Sequence, residues 1–255
     1  MPNPQEVRPV TGSFSSESAL NAKAELLKLY DECPIPKEEL FAHIGLFINR
    51  WQLSRILFLD ELYQKIVETH GVIMEFGCRY GQNLALMESL RALYEPYNLS
   101  RKIIGFDTFQ GFVGSGEEDG THGLIHEGSY KTEGMHYDDY LRRVLQYHEA
   151  INPNNHHCKF EIIKGDASEK LQQYLDDHKE TLIAFAYFDM DIFKPTKACL
   201  SILKKYLVKG AVVAFDELAM EQFPGETQAF MEELDISERK LVRSPKSNYV
   251  SYIIW

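Results

Sequence analysis

The ten residues from 72 to 81 constrain the fold of this chain more than any other segment. They read V-I-M-E-F-G-C-R-Y-G, an apolar strand that ends in a glycine-bearing turn, and residues 83–93 behind them have helical periodicity. A strand, a tight turn and a helix in this order point backbone N–H groups from the helix N-terminus towards a polar ligand. The segment therefore predicts an α/β protein with a ligand site at its first strand-to-helix turn.

Further apolar runs alternate with helical patterns along the rest of the chain. We predict parallel strands at residues 72–76, 102–106, 160–164, 182–188 and 211–215. Most of these runs are continuously apolar, as a parallel sheet covered by helices on both faces requires. Residues 240–243 and 249–254 flank the turn sequence S-P-K-S-N and predict a terminal antiparallel hairpin. The expected fold is α/β, with a mostly parallel sheet and a C-terminal hairpin.

Two segments of helical periodicity, residues 18–31 and 41–68, precede the first strand. Residues 1–18 are rich in Pro and Ser and are expected to form a flexible tail. We expect residues 19–70 to form a helical cap over the ligand end of the sheet or an oligomerisation segment, and residues 71–255 to form the main domain. The apolar stripe of the first helices suggests a homo-oligomer, although the same stripe would also suit a core.

The connection between the second and third predicted strands is unusually long. Residues 111–150 form an insertion whose first part carries glycines at positions 111, 114, 116, 120, 123, 128 and 134, whereas residues 137–150 have the pattern of a helix. Long glycine-rich connections are usually functional or disordered. The insertion is either a lid over a substrate or a mobile surface loop.

Charge and composition exclude several classes of function. The 255 residues include 27 Lys and Arg against 38 Asp and Glu, a formal net charge of −11, which opposes sequence-independent binding of nucleic acid. The sequence has neither an apolar run of membrane-spanning length nor a signal-peptide pattern at its start, so we expect a cytoplasmic protein that does not bind membranes. The four cysteines lack C-x-x-C spacing and are expected to be reduced thiols.

Each predicted parallel strand ends in at least one carboxylate. In chain order these residues are Glu75, Asp107, Asp166, Asp189 with Asp191, and Asp216 with Glu217. Ligands of open α/β sheets bind beyond the carboxyl ends of the strands, so these side chains share one edge. Like charges gathered there repel one another and need a cation or a ligand.

Two of these carboxylates suit a nucleoside. Asp107 follows the second strand, where a carboxylate can accept hydrogen bonds from both hydroxyls of an adenosine ribose. Asp166 follows the third strand and either accepts from an adenine amino group or caps the helix predicted at residues 167–174.

The remaining carboxylates suit a metal ion. Asp189 and Asp191 follow the fourth strand, and Asp216 and Glu217 follow the fifth, so adjacent strands would bring the two groups together. Oxygen ligands favour Mg²⁺, with Mn²⁺ or Ca²⁺ less favoured. The alternative is that one pair caps helices while the other is solvated.

Taken in order, the motifs resemble those of one known family. They are W-Q-L-S-R-I-L-F-L-D-E-L-Y, E-F-G-C-R-Y-G-Q-N, G-F-D-T-F-Q-G-F, K-G-D-A-S, Y-F-D-M-D-I-F-K-P-T and V-V-A-F-D-E-L. From about Phe41 to the C-terminus the chain resembles the macrocin O-methyltransferase type of S-adenosylmethionine (SAM)-dependent sugar methyltransferases from antibiotic biosynthesis. The resemblance implies a class I SAM methyltransferase with a Rossmann-like sheet. It further implies methyl transfer to a hydroxyl of a deoxysugar or glycoside.

The resemblance also implies roles for individual residues. The cofactor-binding residues would be Glu75, Gly77, Gly81, Asn83, Asp107, Asp166 and Ala167. The ligands of a Mg²⁺ or Mn²⁺ ion would be Asp189, Asp216 and Glu217. Asp189, or Asp191 as second choice, would accept the proton of the sugar hydroxyl. The family commonly has Asp-Asp where this chain has Asp216-Glu217, and its first turn is richer in glycine.

Two other functions remain open on the sequence alone. A catechol- or phenol-type O-methyltransferase would use the same cation with an aromatic acceptor pocket, for which Tyr130, Tyr137 and Tyr140 are available. A SAM-binding protein without turnover would have no need of the paired carboxylates. A third possibility, an iron oxygenase, lacks the expected His-x-Asp pair at a strand end.

Overall fold

The computed structural model describes residues 16–134, 136–247 and 249–255. Residues 1–15, most of the predicted flexible tail, lie outside the described residues. The chain divides into two compact units, Met1–Ser54 and Arg55–Trp255. The functional division at residues 19–70 and 71–255 stays a prediction.

The first unit contains short helical segments. They are α1 (Glu17–Asp31), α2 (Lys37–Leu40) and a 3₁₀ helix (Phe41–Leu46), and helix α3 (Arg50–Ile66) begins shortly after them. The prediction of one continuous helix over residues 41–68 was wrong. Asn49 starts a new helix, because its side chain accepts from the N–H of Trp51 at 2.9 Å while its own N–H donates to Gln52 at 3.2 Å.

Among the described residues of the second unit, seven strands form one sheet in the order β3-β2-β1-β4-β5-β7-β6. The strands are β1 (Val72–Phe76), β2 (Ile103–Asp107), β3 (Phe160–Lys164), β4 (Ile183–Phe188), β5 (Leu207–Phe215), β6 (Val242–Arg243) and β7 (Ser251–Ile254). Strands β1 to β5 are parallel, and β7 pairs antiparallel with both β5 and β6. The predicted mostly parallel sheet with an antiparallel C-terminal hairpin is confirmed.

Helices connect the parallel strands and cover the sheet. They are α4 (Gln82–Tyr94), α5 (Tyr137–Ala150), α6 (Ala167–Asp177), α7 (Phe193–Leu203) and α8 (Pro224–Glu233). Successive strand residues point to opposite faces, so Met74 and Phe76 enter one buried cluster with α6, α7 and α8, whereas Ile73 enters another with α3, α4 and α5. Both faces are therefore apolar, as the continuous apolar runs predicted.

A row of phenylalanine rings lies just inside the carboxyl edge of the sheet. Phe76 stacks on Phe106 at 5.1 Å and on Phe188 at 4.9 Å, and Phe188 stacks on Phe215 at 5.3 Å between ring centroids. These four residues are register neighbours on β2, β1, β4 and β5. The stacked rings hold the strand ends against one another. The carboxylates predicted at the strand ends lie beside or beyond these rings.

Within the described part of the chain, no helix has both the length and the apolar composition needed to cross a bilayer. The four cysteines are free thiols, as predicted, and Cys78 and Cys199 are buried.

Candidate active site

The first turn is pressed against the end of β4. Gly77 has a φ of +88°, and a Cβ there would collide with the carbonyl oxygen of Asp189. The backbone N–H of Asp189 donates to Phe76 at 2.8 Å, and that of Gly77 donates to Phe106 at 2.9 Å. Only glycine combines this conformation with such a close approach. The turn predicted to hold SAM and the carboxylates after β4 are thus built against each other.

The turn ends at the N-terminus of α4. Gly81 is the N-cap residue, with a φ of +73°, and a Cβ there would collide with the side chain of Leu141 on α5. The helix begins without a side-chain cap, so N–H groups of its first turn stay available to a ligand.

Glu75 and Asn83 form a buried pair beside this turn. The amide of Asn83 donates to Glu75 Oε1 at 2.8 Å, while Oε2 is buried and has no hydrogen-bond partner within the described residues. Burial raises the pKa of Glu75 to about 8. Asn83 therefore orients a carboxyl group whose second oxygen is free to meet a cationic or donor group of a ligand.

Asp107 closes β2 and holds the two loops around it. Its Oδ2 accepts from the N–H of Arg79 at 2.6 Å, and its Oδ1 accepts from the N–H of Phe109 at 2.5 Å. Burial raises its pKa, although these backbone donors oppose the shift. Each carboxylate oxygen retains a further acceptor position, so the side chain remains suited to ribose hydroxyls.

Asp166 is the N-cap of α6. Its Oδ1 accepts from the backbone N–H groups of Ser168 at 2.9 Å and Glu169 at 3.3 Å. Capping was one of the two roles that the sequence left open. Contact of Asp166 or Ala167 with adenine stays a prediction.

Asp189, Asp191 and Glu217 come together at the ends of β4 and β5. One carboxylate oxygen from each lies within 4.8 Å of the others. Among the described residues, Asp191 Oδ1 and Glu217 Oε2 are buried without a hydrogen-bond partner. Burial raises the pKa of all three carboxyl groups, and repulsion from nearby carboxylates, including Asp216, adds to the shift. Three converging carboxylates with orphaned oxygens fit a hard divalent cation.

Asp216 lies beside this group but faces another partner. Its Oδ2 accepts from the guanidinium of Arg55 at 2.9 Å, and its Oδ1 accepts from the hydroxyl of Tyr187. Arg55 also lies 3.6 Å from Asp189 Oδ2. The three carboxylates that converge therefore include Asp191, whereas Asp216 pairs with Arg55. A role of Asp216 as a metal ligand stays a prediction.

Arg55 was not among the residues predicted for this site. It lies within an apolar helical stretch of α3, and the only available signal was a basic residue in the motif W-Q-L-S-R before the first strand. Asp216 and Tyr187 raise the pKa of Arg55, so it carries its charge throughout the physiological range. The acidic edge of the sheet therefore contains a side chain, that of Arg55, which stays positively charged beside the carboxylates.

Glu226 was also missed. It belongs to the first turn of α8, is fully buried, and accepts through Oε1 from the backbone N–H of Glu217 at 3.2 Å. Its Oε2 has no hydrogen-bond partner in residues 16–134, 136–247 and 249–255. The sequence carried no signal for it, because an acidic residue at a helix start is ordinarily a solvated one.

The glycine-rich part of the insertion is docked on the loops that carry these carboxylates. Apolar residues of the insertion, Phe112 and Tyr130 among them, pack against Ile192, which follows β4, and Phe223, which follows β5. The guanidinium of Arg79, in the first turn, lies 4.9 Å from the Tyr130 ring. This part of the insertion is therefore packed against the strand-end loops, and a role as a lid over a substrate stays a prediction.

A buried carboxylate fixes this docking. Asp119 is 1% exposed, and its Oδ1 accepts from the N–H of Phe193, the first residue of α7, at 2.6 Å. Its Oδ2 accepts from the N–H of Gly116 at 2.7 Å. A Cβ at Gly225 on α8 would collide with Asp119. Asp119 belongs to the acidic run E-E-D, and no pattern in the sequence distinguishes it from its two neighbours.

The sheet order, the glycine-bearing turn after β1 and the carboxylate after β2 together define a class I SAM-dependent O-methyltransferase. Comparison with solved structures agrees. CalS11, a calicheamicin methyltransferase, is 38% identical, with a TM-score of 0.92 and 95% of each chain covered. An apo structure of CalS11, described as a TDP-rhamnose 3′-O-methyltransferase of calicheamicin biosynthesis, is 36% identical, with a TM-score of 0.84, and covers 95% of this chain and 96% of that one.

The chain therefore belongs to the family of SAM-dependent sugar O-methyltransferases from antibiotic biosynthesis that its motifs resemble. The O-methyltransferase NovP, 19% identical over 79% of each chain with a TM-score of 0.57, shares the fold. No protein-family model and no curated protein matched the sequence.

Proposed function

We propose that this enzyme methylates a hydroxyl of a nucleotide-linked deoxysugar, or of a deoxysugar glycoside, with SAM as methyl donor and a divalent cation at the acceptor site. One observation carries the proposal. The Asp189–Asp191–Glu217 group lies on the same sheet edge as the first turn, and the backbone of Asp189 touches that turn at Gly77. A methyl donor and a cation-bound acceptor would therefore meet at one point.

For SAM we propose the pocket between β1, β2 and α4. Asp107 accepts from the ribose hydroxyls, Gly77 and Gly81 let the backbone approach the ligand, and Asp166 with Ala167 borders the adenine. Glu75, oriented by Asn83, faces the amino-acid end with its free oxygen. The support is the arrangement of hydrogen-bond acceptors along one edge.

For the cation we propose Asp189, Asp191 and Glu217, with Mg²⁺ as the natural ion and Mn²⁺ as a substitute. A divalent ion bound there would lower the pKa of a coordinated sugar hydroxyl. Arg55 pairs with Asp216 and partly neutralises the carboxylate cluster. The ion and the substrate would therefore meet a smaller net negative charge.

The reaction is a direct displacement. The sugar oxygen attacks the methyl carbon as the carbon–sulfur bond breaks, and S-adenosylhomocysteine leaves with the bonding electrons. The hydroxyl proton passes to a carboxylate, for which Asp189 and Asp191 are the candidates. The docked insertion limits access of water.

The substrate class rests on the description of CalS11 as a TDP-rhamnose 3′-O-methyltransferase. The test is transfer of a labelled methyl group from SAM to a panel of dTDP-linked deoxysugars, sugar glycosides and catechols, with Mg²⁺ or with excess chelator. We expect a labelled sugar and stoichiometric S-adenosylhomocysteine with Mg²⁺ only. Label on a catechol alone would favour the phenol-type enzyme, and SAM binding without transfer to any acceptor would favour a non-catalytic protein.

We further propose that the first unit mediates homo-oligomer formation. Helix α1 contains no buried residue, and large apolar side chains of this unit are exposed, with Phe41 at 82% and Leu46 at 65%. Exposed apolar surface of this kind marks an interaction site. Light scattering after gel filtration tests it, and a monomer at micromolar concentration would contradict it.

A further inference from the structure

The local contacts of Glu226 do not account for the complete burial of its carboxyl group. It is 0% exposed, and its Oε1 accepts a hydrogen bond from the backbone N–H of Glu217 at 3.2 Å. Its Oε2 is buried and has no hydrogen-bond partner in the part of the chain that the structure describes. Burying a carboxylate is costly unless it is paired and hydrogen-bonded, and glutamine would fill the same space at lower cost.

The charged neighbours of Glu226 increase this cost. The charges that act on it are the carboxylates of Asp191, Asp216 and Asp189, in decreasing order. Among the described residues, no lysine or arginine forms an ion pair with it, since Arg55 pairs with Asp216 and Asp189. Its position in the first turn of α8 gives some compensation, because a helix N-terminus favours negative charge. The arrangement is suited to a state in which a cation occupies the cluster.

We propose that Glu226 is a positioning residue for the divalent-cation site. It holds Glu217 by the backbone and adds a fourth negative charge behind the Asp189–Asp191–Glu217 group. The inference rests on the proposed function, since it concerns the cation proposed there. It assigns to Glu226 no direct contact with the ion, because its oxygens are not among the three that converge within 4.8 Å.

The test is the affinity of the full-length protein for Mn²⁺, measured by isothermal titration calorimetry and by the electron paramagnetic resonance signal of free Mn²⁺. Glu226→Gln keeps the oxygen that accepts from Glu217 and removes only the charge. We expect Mn²⁺ binding to weaken by about 10- to 100-fold, the range for groups that support metal ligands from behind. In the absence of metal, the variant should unfold at the same or a higher urea concentration, because glutamine fills the same space without burying an ionisable group among carboxylates.

A matched control lies on the same helix. Glu232 is exposed and pairs with Lys197 at the surface, so Glu232→Gln should bind Mn²⁺ as the parent protein does. Glu226→Asp keeps the charge and shortens the side chain, and it should bind Mn²⁺ more tightly than Glu226→Gln. This variant provides a second comparison if the glutamine variant folds poorly.

Two outcomes would overturn the inference, and they differ from each other. If the parent protein binds Mn²⁺ and Glu226→Gln binds it equally well, Glu226 is merely structural and the cation site itself stands. If the parent protein binds no Mn²⁺, with or without S-adenosylhomocysteine, the cation proposal fails and this inference fails with it.

Discussion

Replacing Asp119 by alanine tests whether the insertion is a docked part of the site. Asp119 is almost fully buried and accepts two backbone N–H groups, from Phe193 at 2.6 Å and from Gly116 at 2.7 Å. Hydrogen bonds to a charged group each contribute about 1.5–3 kcal/mol. Alanine removes both acceptors and leaves both donors to find water, so we expect the free energy of unfolding to fall by about 3–5 kcal/mol. Asparagine keeps one good acceptor and should lose about half as much.

The assay is urea unfolding monitored by circular dichroism, together with hydrogen exchange of residues 111–134. Asp119→Ala should speed exchange in this segment more than in the sheet, since the insertion is released first. Glu117→Ala is the control, because Glu117 is exposed in the short 3₁₀ helix Glu117–Asp119 that also contains Asp119, and it should change stability by no more than about 0.5 kcal/mol. A loss below about 1 kcal/mol for Asp119→Ala, with unchanged exchange, would refute the docking.

Three further predictions concern the SAM side of the site. Gly77→Ala forces a side chain into a positive-φ turn against the carbonyl of Asp189. We expect the free energy of unfolding, measured by thermal unfolding, to fall by about 2–4 kcal/mol, and S-adenosylhomocysteine binding in calorimetry to be lost. Normal binding would contradict the packing. Asp107→Asn should weaken S-adenosylhomocysteine binding by about 10- to 100-fold but leave Mn²⁺ affinity unchanged, and equal losses of both would point to a general structural defect. Since the folded-state pKa of Glu75 is raised from 4.5 to about 8, the folded protein retains a proton there that the unfolded chain releases. The stability of the metal-free protein should therefore fall as pH rises from about 4.5 to 8, and Glu75→Gln should flatten this dependence in urea unfolding; an unchanged slope would show that Glu75 is ionised.

Much of the sheet follows from the sequence. The runs at residues 72–76 and 160–164 match β1 and β3 at both ends. Buried parallel strands are recognisable because they are continuously apolar and end abruptly in glycine or a carboxylate. The break between the 3₁₀ helix and α3 was missed, because the capping contacts of Asn49 interrupt a pattern that is otherwise apolar throughout.

Only those residues of the site that directly follow the strands could be predicted from the sequence. Residues that follow parallel strands lie at the same edge of the sheet regardless of their side-chain conformations. The sequence therefore correctly predicted that Asp189 and Glu217 lie close together. Contacts with residues that are distant in the sequence could not be predicted. Arg55, which pairs with Asp216, and Asp119, which accepts from the backbone of Phe193, contact residues more than 70 positions distant. Such pairings depend on tertiary packing that no local pattern records.

A crystal structure of the protein with S-adenosylhomocysteine and Mn²⁺, using anomalous scattering from the manganese, tests most directly whether donor and cation share one edge of the sheet. We predict a single strong anomalous peak among the carboxylates of Asp189, Asp191 and Glu217, with the ribose of the nucleoside on Asp107. Manganese bound away from these carboxylates, or a nucleoside away from the turn after β1, would contradict the account.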